Sequence, residues 1–191
     1  MNTVSVDGKK VTPSKVVCIG RNYVEHIQEL HNEVPTSMVI FMKPNSAISN
    51  VLVAHAHPLH YEGEISFLIK NGMISSVGFG LDLTNRILQN ELKEKKLPWE
   101  RAKAFDGAAV FGEFVNINPN DIDRLSMELW INDQLIQEGN IGLMIYKPET
   151  MLAEISTFST LIDNDIIMSG TTKGVGSFKK DDIFVGKIFL D

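Results

Sequence analysis

The chain contains the stretch Leu59-His60-Tyr61-Glu62-Gly63-Glu64-Ile65-Ser66-Phe67-Leu68-Ile69. From Glu62 onward, polar or small residues mostly alternate with apolar ones, and a period of two predicts an extended strand. Side chains two residues apart on a strand point to the same face. Glu62 and Glu64 should therefore project together, while Ile65, Phe67 and Ile69 form the opposite, apolar face.

Two carboxylates side by side repel each other unless something neutralises them. A divalent cation does this well, and Mg²⁺, Mn²⁺ and Ca²⁺ prefer carboxylate oxygen as a ligand. Glu62 and Glu64 therefore indicate a metal site on this strand. The plainer interpretation is that the two side chains form the solvated face of the strand.

A third carboxylate, Asp82, ends the apolar run 77–81 and precedes a helical pattern at 85–95. A strand end that leads into a helix is exposed yet held by rigid elements, which suits a functional side chain. Asp82 could instead cap the helix. As a third oxygen ligand it would leave about three positions of an octahedral ion for water and substrate.

Length and composition limit the function classes. The 191 residues predict one domain, 1–191, long enough for a hydrophobic core. The net charge is −6 and no basic stripe is present, so nucleic acid is not an expected partner. No membrane-spanning run or signal-peptide pattern appears, which predicts a cytoplasmic protein without a membrane partner. Cys18, the single cysteine, lies in an apolar run and is expected to be a buried, inert thiol.

Short strands outnumber helices along the chain. Hairpins are predicted at 3–11 and 126–138, and helices at 85–95 and from Pro148 to about residue 157. Strands and helices do not alternate, which argues against βαβ units. The predicted fold class is α+β, predominantly β, a roll with a few short helices.

Two further groups have side chains suited to catalysis. His26 and Glu29 are spaced i, i+3, so on a helix the carboxylate would orient the imidazole and the pair could activate water as a general base. The alternative is a solvated surface pair. Lys103 lies among small and apolar residues, where a buried ammonium could stabilise an enolate. Such lysines more often extend to solvent.

Competing motifs are weaker. His55, His57, His60 and Glu62 resemble a cupin metal strand, but the flanking glycines are absent and Pro58 interrupts the strand. Gly78-Phe79-Gly80 lacks the third glycine of a dinucleotide fingerprint, and the loop at 170–176 lacks the P-loop order. That loop offers backbone N–H groups and Thr171, which could hold a substrate carboxylate or phosphate, or it is a plain connection.

Together these residues resemble the fumarylacetoacetate hydrolase family from about Lys15 to the end of the chain. The order of these landmarks along the chain is specific to the family. The landmarks are Gly20-Arg21-Asn22-Tyr23, His26, Glu29, Lys43-Pro44, the run at 60–64, Asp82-Leu83-Thr84, Arg86, Gln89, Leu97-Pro98-Trp99, Lys103-Ala104-Phe105-Asp106 and Ser169-Gly170-Thr171. The chain is similar to the single-domain branch that includes acylpyruvases and oxaloacetate decarboxylases.

The resemblance implies a mixed β-sandwich roll, usually a homodimer. It implies that Glu62, Glu64 and Asp82 are ligands of Mg²⁺ or Mn²⁺. It also implies that His26 and Glu29 form a water-activating dyad on a segment that closes over the substrate.

The resemblance further implies that Lys103 stabilises developing enolate charge. The implied substrate-binding residues are Arg21, Tyr23, Arg86, Gln89 and Thr171. Departures from the family pattern occur at Ile87, Ile141 and Thr172, and are expected to affect the substrate side rather than the metal ligands.

The predicted function is divalent-metal-dependent cleavage of a carbon–carbon bond in a small 2-oxo acid. Acylpyruvate hydrolysis and oxaloacetate decarboxylation would share an enolate stabilised by the metal. The alternatives are an isomerase or hydratase acting on a related oxo-diacid, and a metal-binding protein without turnover.

Overall fold

The computed structural model describes residues 1–31, 33–54 and 57–191. The strands are β1 Val4–Val6, β2 Lys9–Val11, β3 Lys15–Gly20, β4 Val39–Pro44, β5 Ile48–Ser49, β6 His60–Tyr61, β7 Gly63–Lys70, β8 Met73–Asp82, β9 Ala109–Asn116, β10 Leu125–Ile131, β11 Gln134–Asn140, β12 Ile166–Thr171, β13 Gly176–Ser177 and β14 Phe184–Leu190.

Helices are short and lie between the strands. They are α1 Val24–Glu29, α2 Arg86–Glu94, α3 Glu100–Lys103 and α4 Pro148–Ser156, with 3-10 helices at Asn45–Ala47, Pro119–Arg124 and Ile141–Leu143. The side chain of Asn85 caps α2 by accepting a hydrogen bond from Leu88 N, so Asp82 is not the cap. Pro148 opens α4, as predicted from its fixed φ.

Most strands form one curled, mixed sheet in the order β2-β1-β9-β8-β7-β12-β3-β4, with β5 paired to β9. A smaller antiparallel sheet, β11-β10-β14, packs over it, and β13 pairs with β6. Strands and bridges hold 43% of the described residues and helices 21%, which confirms the predicted α+β, predominantly β class. Both predicted hairpins are present, as β1-β2 and β10-β11.

Both faces of β7 are buried. Ile65 and Phe67 pack with Met127 of β10 and Met151 of α4 in the core between the two sheets. Leu68, on the other face, belongs to a second core that is enclosed by the curled sheet and includes Cys18. Cys18 is buried as predicted, and its burial raises the pKa of the thiol well above the ordinary value. No helix among residues 1–31, 33–54 and 57–191 has the length and apolarity needed to cross a bilayer.

Asp165 links the start of β12 to the start of β3. Its fully buried carboxylate accepts hydrogen bonds from Ser14 N and Oγ, Lys15 N and Nζ, and Ile162 N, at 2.5–3.2 Å. Burial alone would raise the pKa of Asp165, but these hydrogen bonds outweigh burial and lower it.

We expect Asp165→Asn to reduce the free energy of unfolding by about 2–4 kcal/mol at pH 7, because a buried partner is removed and an amide faces Lys15 Nζ. An acid with a lowered folded pKa stabilises the fold above its unfolded pKa and loses this contribution as the pH falls through the folded value. The difference from wild type should therefore shrink below about pH 4. Urea unfolding at pH 7 and pH 3 measures it, with the exposed turn substitution Asp133→Asn as control. If wild type and Asp165→Asn differed in unfolding free energy by the same amount at both pH values, the lowered pKa of Asp165 in the folded protein would be contradicted.

Candidate metal centre

Glu62, Glu64 and Asp82 converge in the structure. Glu64 is the second residue of β7 and Asp82 is the last residue of β8, and these strands pair so that Gly63 lies opposite Leu81. The backbone N–H of Asp82 donates to the carbonyl oxygen of Glu62 at 2.8 Å. Each carboxylate offers an oxygen that lies within 4.8 Å of the others, and all three side chains are buried. The solvated-face interpretation is therefore wrong.

The prediction of an extended strand from Glu62 onward is wrong at its first residue. Glu62 lies between β6 and β7 and belongs to neither. The two glutamates still come together, because the backbone of Glu62 is held by Asp82 N rather than by a regular ladder. From Gly63 onward the predicted alternation is confirmed, with Ile65, Phe67 and Ile69 in the core.

Lys103, the last residue of α3, lies between two of the carboxylates. Its Nζ donates to Glu62 Oε2 at 2.8 Å, to Asp82 Oδ2 at 2.7 Å and to Thr84 Oγ1 at 2.6 Å. Burial favours the neutral amine, but the carboxylates of Asp82 and Glu62 outweigh burial and raise the pKa of Lys103. Lys103 is thus a buried ammonium held between two carboxylates, and the alternative that it extends to solvent is wrong.

Lys43 of β4 supplies a second buried ammonium beneath the site. Its Nζ donates to the carbonyl oxygens of Leu83, Lys103 and Ala108 and lies 2.7 Å from Asp82 Oδ1. Because those carbonyls take its hydrogens, the contact with Asp82 is an ion pair without hydrogen-bond alignment. Among the described residues, Asp82 Oδ1 is a buried oxygen that accepts no hydrogen bond.

Arg86, at the start of α2, pairs with Glu62. Arg86 donates to Glu62 Oε1, and its other terminal nitrogen donates to Gln89 Oε1 at 2.7 Å. Burial alone would raise the pKa of Glu62, but Lys103 and Arg86 outweigh it, and the pKa is held well below its ordinary value. Glu62 is therefore ionised.

The buried carboxylate of Glu64 lacks the cationic partners that Glu62 has in the described part of the chain. Burial, followed by the charges of Asp82 and Glu62, raises the pKa of Glu64 well above its ordinary value. Glu64 Oε2 accepts a hydrogen bond from Gly170 N at 2.8 Å, and no ion pair to Glu64 is present in the described part of the chain. A divalent cation would relieve this repulsion, and the all-oxygen donor set suits a hard cation such as Mg²⁺ or Mn²⁺.

Gly170 is required by the backbone at this point. Its φ is +98°, and a Cβ atom there would lie 2.8 Å from Asn22 Cβ and 2.9 Å from Ile19 O. Only glycine fits this conformation and space. Its N–H, which the sequence suggested as a substrate contact, is instead used by Glu64.

His26 and Glu29 of α1 form the predicted pair. His26 Nδ1 lies 3.2 Å from Glu29 Oε2, and Gly174 N donates to Glu29 Oε1 at 2.9 Å. His26 is only 5% exposed, so the interpretation as a solvated surface pair is wrong for the imidazole. Burial lowers the pKa of His26, and this outweighs the opposite effect of Glu62 and Glu29. With Nδ1 donating to Glu29, Nε2 of the neutral ring is the basic nitrogen.

These groups surround a small cavity of about 40 Å³. The predicted site residues in its wall are Arg21, His26, Glu62, Glu64, Asp82, Arg86, Gln89, Lys103 and Thr171. Glu29 lies behind His26, where it orients the ring. Thr171 is held in place by donating to Gly63 O at 3.0 Å and accepting from Gln137 Nε2 at 2.9 Å. The roles of these residues in catalysis and binding stay predictions.

Tyr23 and the three departures lie elsewhere. Tyr23 is buried in the core between the sheets, and its hydroxyl donates to Asn140 O at 3.3 Å. Ile87 is 61% exposed, Ile141 is a core residue, and Thr172 packs near Gly139. Within the described residues none of these side chains lines the cavity. The three departures therefore lie outside the cavity wall, facing solvent or a packed interior, and their effect on the substrate stays a prediction.

Several residues of the site were not assigned a role from the sequence. Lys43 and Thr84 contact Asp82 or Lys103, and Phe41, Lys93 and Trp99 line the cavity. A lysine inside the apolar strand 39–44 was the one local signal, since full burial of a lysine requires partners.

Within the described residues, the competing motifs form no group of metal ligands or phosphate-binding loop. His55 lies outside the described residues, and the group of carboxylate, imidazole or thiolate ligands found in the described part of the chain is Glu62, Glu64 and Asp82. Gly78-Phe79-Gly80 lies inside β8 rather than in a phosphate-binding loop.

The fold and the acidic site define a fumarylacetoacetate hydrolase-type protein. Residues 15–187 match the family model described as Fumarylacetoacetate (FAA) hydrolase C-terminal. The chain therefore belongs to the fumarylacetoacetate hydrolase family, as the sequence landmarks indicated.

Two relatives that match most of the chain are both named oxaloacetate tautomerases. The mitochondrial oxaloacetate tautomerase oaa1 of Schizosaccharomyces pombe is 34% identical, over 91% of this chain and 88% of its own length. The Escherichia coli oxaloacetate tautomerase YcgM is 34% identical, over 88% of this chain and 85% of its own.

Solved structures are similar throughout the chain. The crystal structure of a protein from Oleispira antarctica, described as a fumarylacetoacetate isomerase/hydrolase, has a TM-score of 0.91 at 34% identity. The match covers 100% of this chain and 94% of that protein's chain. The fumarylpyruvate hydrolase of Pseudomonas aeruginosa, in complex with Mn²⁺ and pyruvate, has a TM-score of 0.89 at 25% identity and covers 98% of this chain and 91% of its own. The relatives and the acidic cluster together support a divalent metal, without selecting which one.

We expect Glu64→Gln to weaken Mn²⁺ binding by at least about 100-fold, since even the outer partners of metal ligands are worth about 10–100-fold. The same variant without metal should be at least as stable as wild type, because an uncompensated buried charge is replaced by a neutral amide of similar shape. Calorimetric titration with Mn²⁺ and thermal unfolding with chelator measure the two effects. The exposed substitution Glu154→Gln of α4 is the control. Unchanged Mn²⁺ affinity in Glu64→Gln would remove this glutamate from the ligand set.

Proposed function

We propose that the protein is a divalent-metal-dependent enzyme that interconverts the keto and enol forms of oxaloacetate through an enolate. The observation that carries this proposal is a cavity in whose wall three converging carboxylates and a buried histidine lie together. The names of the two oxaloacetate tautomerases, each similar over most of the chain, support the reaction.

Glu62, Glu64 and Asp82 would hold the cation, Mg²⁺ or Mn²⁺. When bound, the cation would supply Lewis-acid polarisation of the 2-oxo group. Lys103 keeps its positive charge beside the same carboxylates and stabilises negative charge that develops on the substrate oxygen.

His26 is the proposed general base. Its Nε2 takes a proton from the carbon next to the 2-oxo group, the electron pair of the broken C–H bond moves to the oxygen, and the proton is then delivered to that oxygen. Glu29 holds the ring through Nδ1 and stabilises the imidazolium that forms. No proton is gained or lost overall, as tautomerisation requires.

Arg86 and Gln89 are the proposed substrate-binding groups on α2. Arg86 is fixed by Glu62, and Gln89 is fixed by Arg86, so their positions are set before substrate arrives. Most of the cavity wall is buried, which limits water around the enolate.

Acylpyruvate hydrolysis is the second candidate, and the His26–Glu29 pair is the observation that favours it. Water that gives a proton to His26 would attack the distal carbonyl, the bond between C3 and that carbonyl would break, and the enolate of pyruvate would be protonated. Oxaloacetate decarboxylation would release CO₂ and form the same enolate without an attacking water. Cleavage of a carbon–carbon bond stays a prediction, as do the homodimer and the cytoplasmic location.

We expect His26→Ala to slow tautomerisation of oxaloacetate by about 100- to 10,000-fold, because the proposed general base is lost. Acylpyruvate hydrolysis should fall by a similar factor, whereas decarboxylation of oxaloacetate, which needs no base, should largely survive. Enol absorbance, acylpyruvate absorbance and pyruvate release measure the three reactions with Mg²⁺, Mn²⁺ or chelator.

The matched control is His57→Ala, which removes an exposed histidine outside the cavity wall. Equal loss of all three reactions in His26→Ala would contradict the role of His26 as a base. A wild-type protein that binds metal but turns over none of these substrates would support a non-catalytic member of the family instead.

A further inference from the structure

One face of α2 extends the cavity wall beyond the proposed substrate-binding residues. Arg86, Gln89 and Lys93 are spaced i, i+3 and i+7, which places them on one face of a helix. All three line the cavity. Lys93 follows Arg86 by two turns, a rise of about 10 Å along the axis. The helix therefore presents a second cation at a distance from the metal ligands.

Aromatic rings separate Lys93 from the acidic end of the cavity. Lys103 Nζ lies 5.0 Å from the centre of the Phe41 ring, the Phe41 and Trp99 ring centres are 6.2 Å apart, and Lys93 Nζ lies 5.3 Å from the Trp99 ring centre. Phe41 and Trp99 both line the cavity. A ligand along this wall would place its carbon skeleton against the rings and one end near each ammonium.

The cationic side chains at the two ends of the cavity differ in their partners. Lys103 and Arg86 are paired with the carboxylates of Asp82 and Glu62, whereas Lys93 contacts the Trp99 ring and has no carboxylate partner in the described part of the chain. Burial, followed by the charges of Arg21, Arg86 and Lys103, lowers the pKa of Lys93 to about 8. A half-buried cation near other cations is a site prepared for an anion.

We propose that Lys93, supported by Trp99, is a specificity-determining residue that binds the distal carboxylate of a dicarboxylic 2-oxo acid. The proposal rests on the proposed function, in which the first carboxylate and the oxo group of the substrate lie at the acidic end of the cavity. Lys93 then selects a four-carbon diacid over a 2-oxo acid of equal length that ends in a methyl group. Lys95 and Lys96, which follow on the same helix end, are exposed and outside the cavity wall.

Oxaloacetate and 2-oxobutanoate provide the test, since both have four carbons and differ only in a terminal carboxylate or methyl group. Their dissociation constants are measured with saturating Mg²⁺ from the fluorescence of Trp99, in a Trp130→Phe background that leaves Trp99 as the reporter. The variants are Lys93→Met, Lys93→Arg, which keeps the charge, and the exposed control Lys95→Met.

We expect Lys93→Met to weaken oxaloacetate binding at least about tenfold, because a charged contact is lost, and to change 2-oxobutanoate binding by less than about threefold. Lys93→Arg should retain most of the preference for oxaloacetate, and Lys95→Met should match the parent. A tenfold or greater loss for oxaloacetate alone supports the proposal. Equal weakening of both ligands, no weakening of either, or no preference for oxaloacetate in the parent overturns it.

The proposed function is judged separately, from turnover of oxaloacetate by wild type. Selective weakening of oxaloacetate binding in Lys93→Met together with absent turnover would support the specificity residue and overturn the reaction. Normal turnover with unchanged oxaloacetate affinity in Lys93→Met would support the reaction and overturn the specificity residue.

Discussion

The burial of like charges at one point is the constraint on which the rest of the site depends. Glu62, Glu64 and Asp82 are each removed from water and brought within 4.8 Å through one oxygen apiece. Unpaired buried charges are strongly destabilising, so the surrounding structure must supply cations. Lys103 and Arg86 do so for two of the carboxylates, and the remaining repulsion at Glu64 is what a divalent cation would relieve.

The sheet provides the rigid frame for this arrangement. Pairing of β7 with β8 brings the two strand ends together, and both faces of β7 are locked into separate cores. Lys43 joins β4 to the carbonyl groups of Leu83, Lys103 and Ala108 beneath the carboxylates. The side chains of the site are therefore positioned by packed elements rather than by a ligand, which is the condition that the proposed stabilisation of an enolate requires.

Local spacing explains which parts of the site could be predicted from the sequence. Glu62 with Glu64, and His26 with Glu29, are close in the chain, and strand and helix periodicity alone bring each pair together. Asp82 was identifiable because it ends an apolar strand before a helix. Lys43 and Lys93 were not assigned roles, because their partners, Asp82 and Trp99, are brought near only by tertiary packing. Likewise, nothing local shows that the strand breaks at Glu62, or that Tyr23 packs into the core.

Anomalous diffraction from crystals grown with Mn²⁺ tests the central claim most directly. One anomalous peak per chain is expected, bounded by carboxylate oxygens from Glu62, Glu64 and Asp82, with Lys103 adjacent. A peak at any other place, or no peak while Lys103 continues to bridge Glu62 and Asp82, would contradict the claim that these three carboxylates form a cation site.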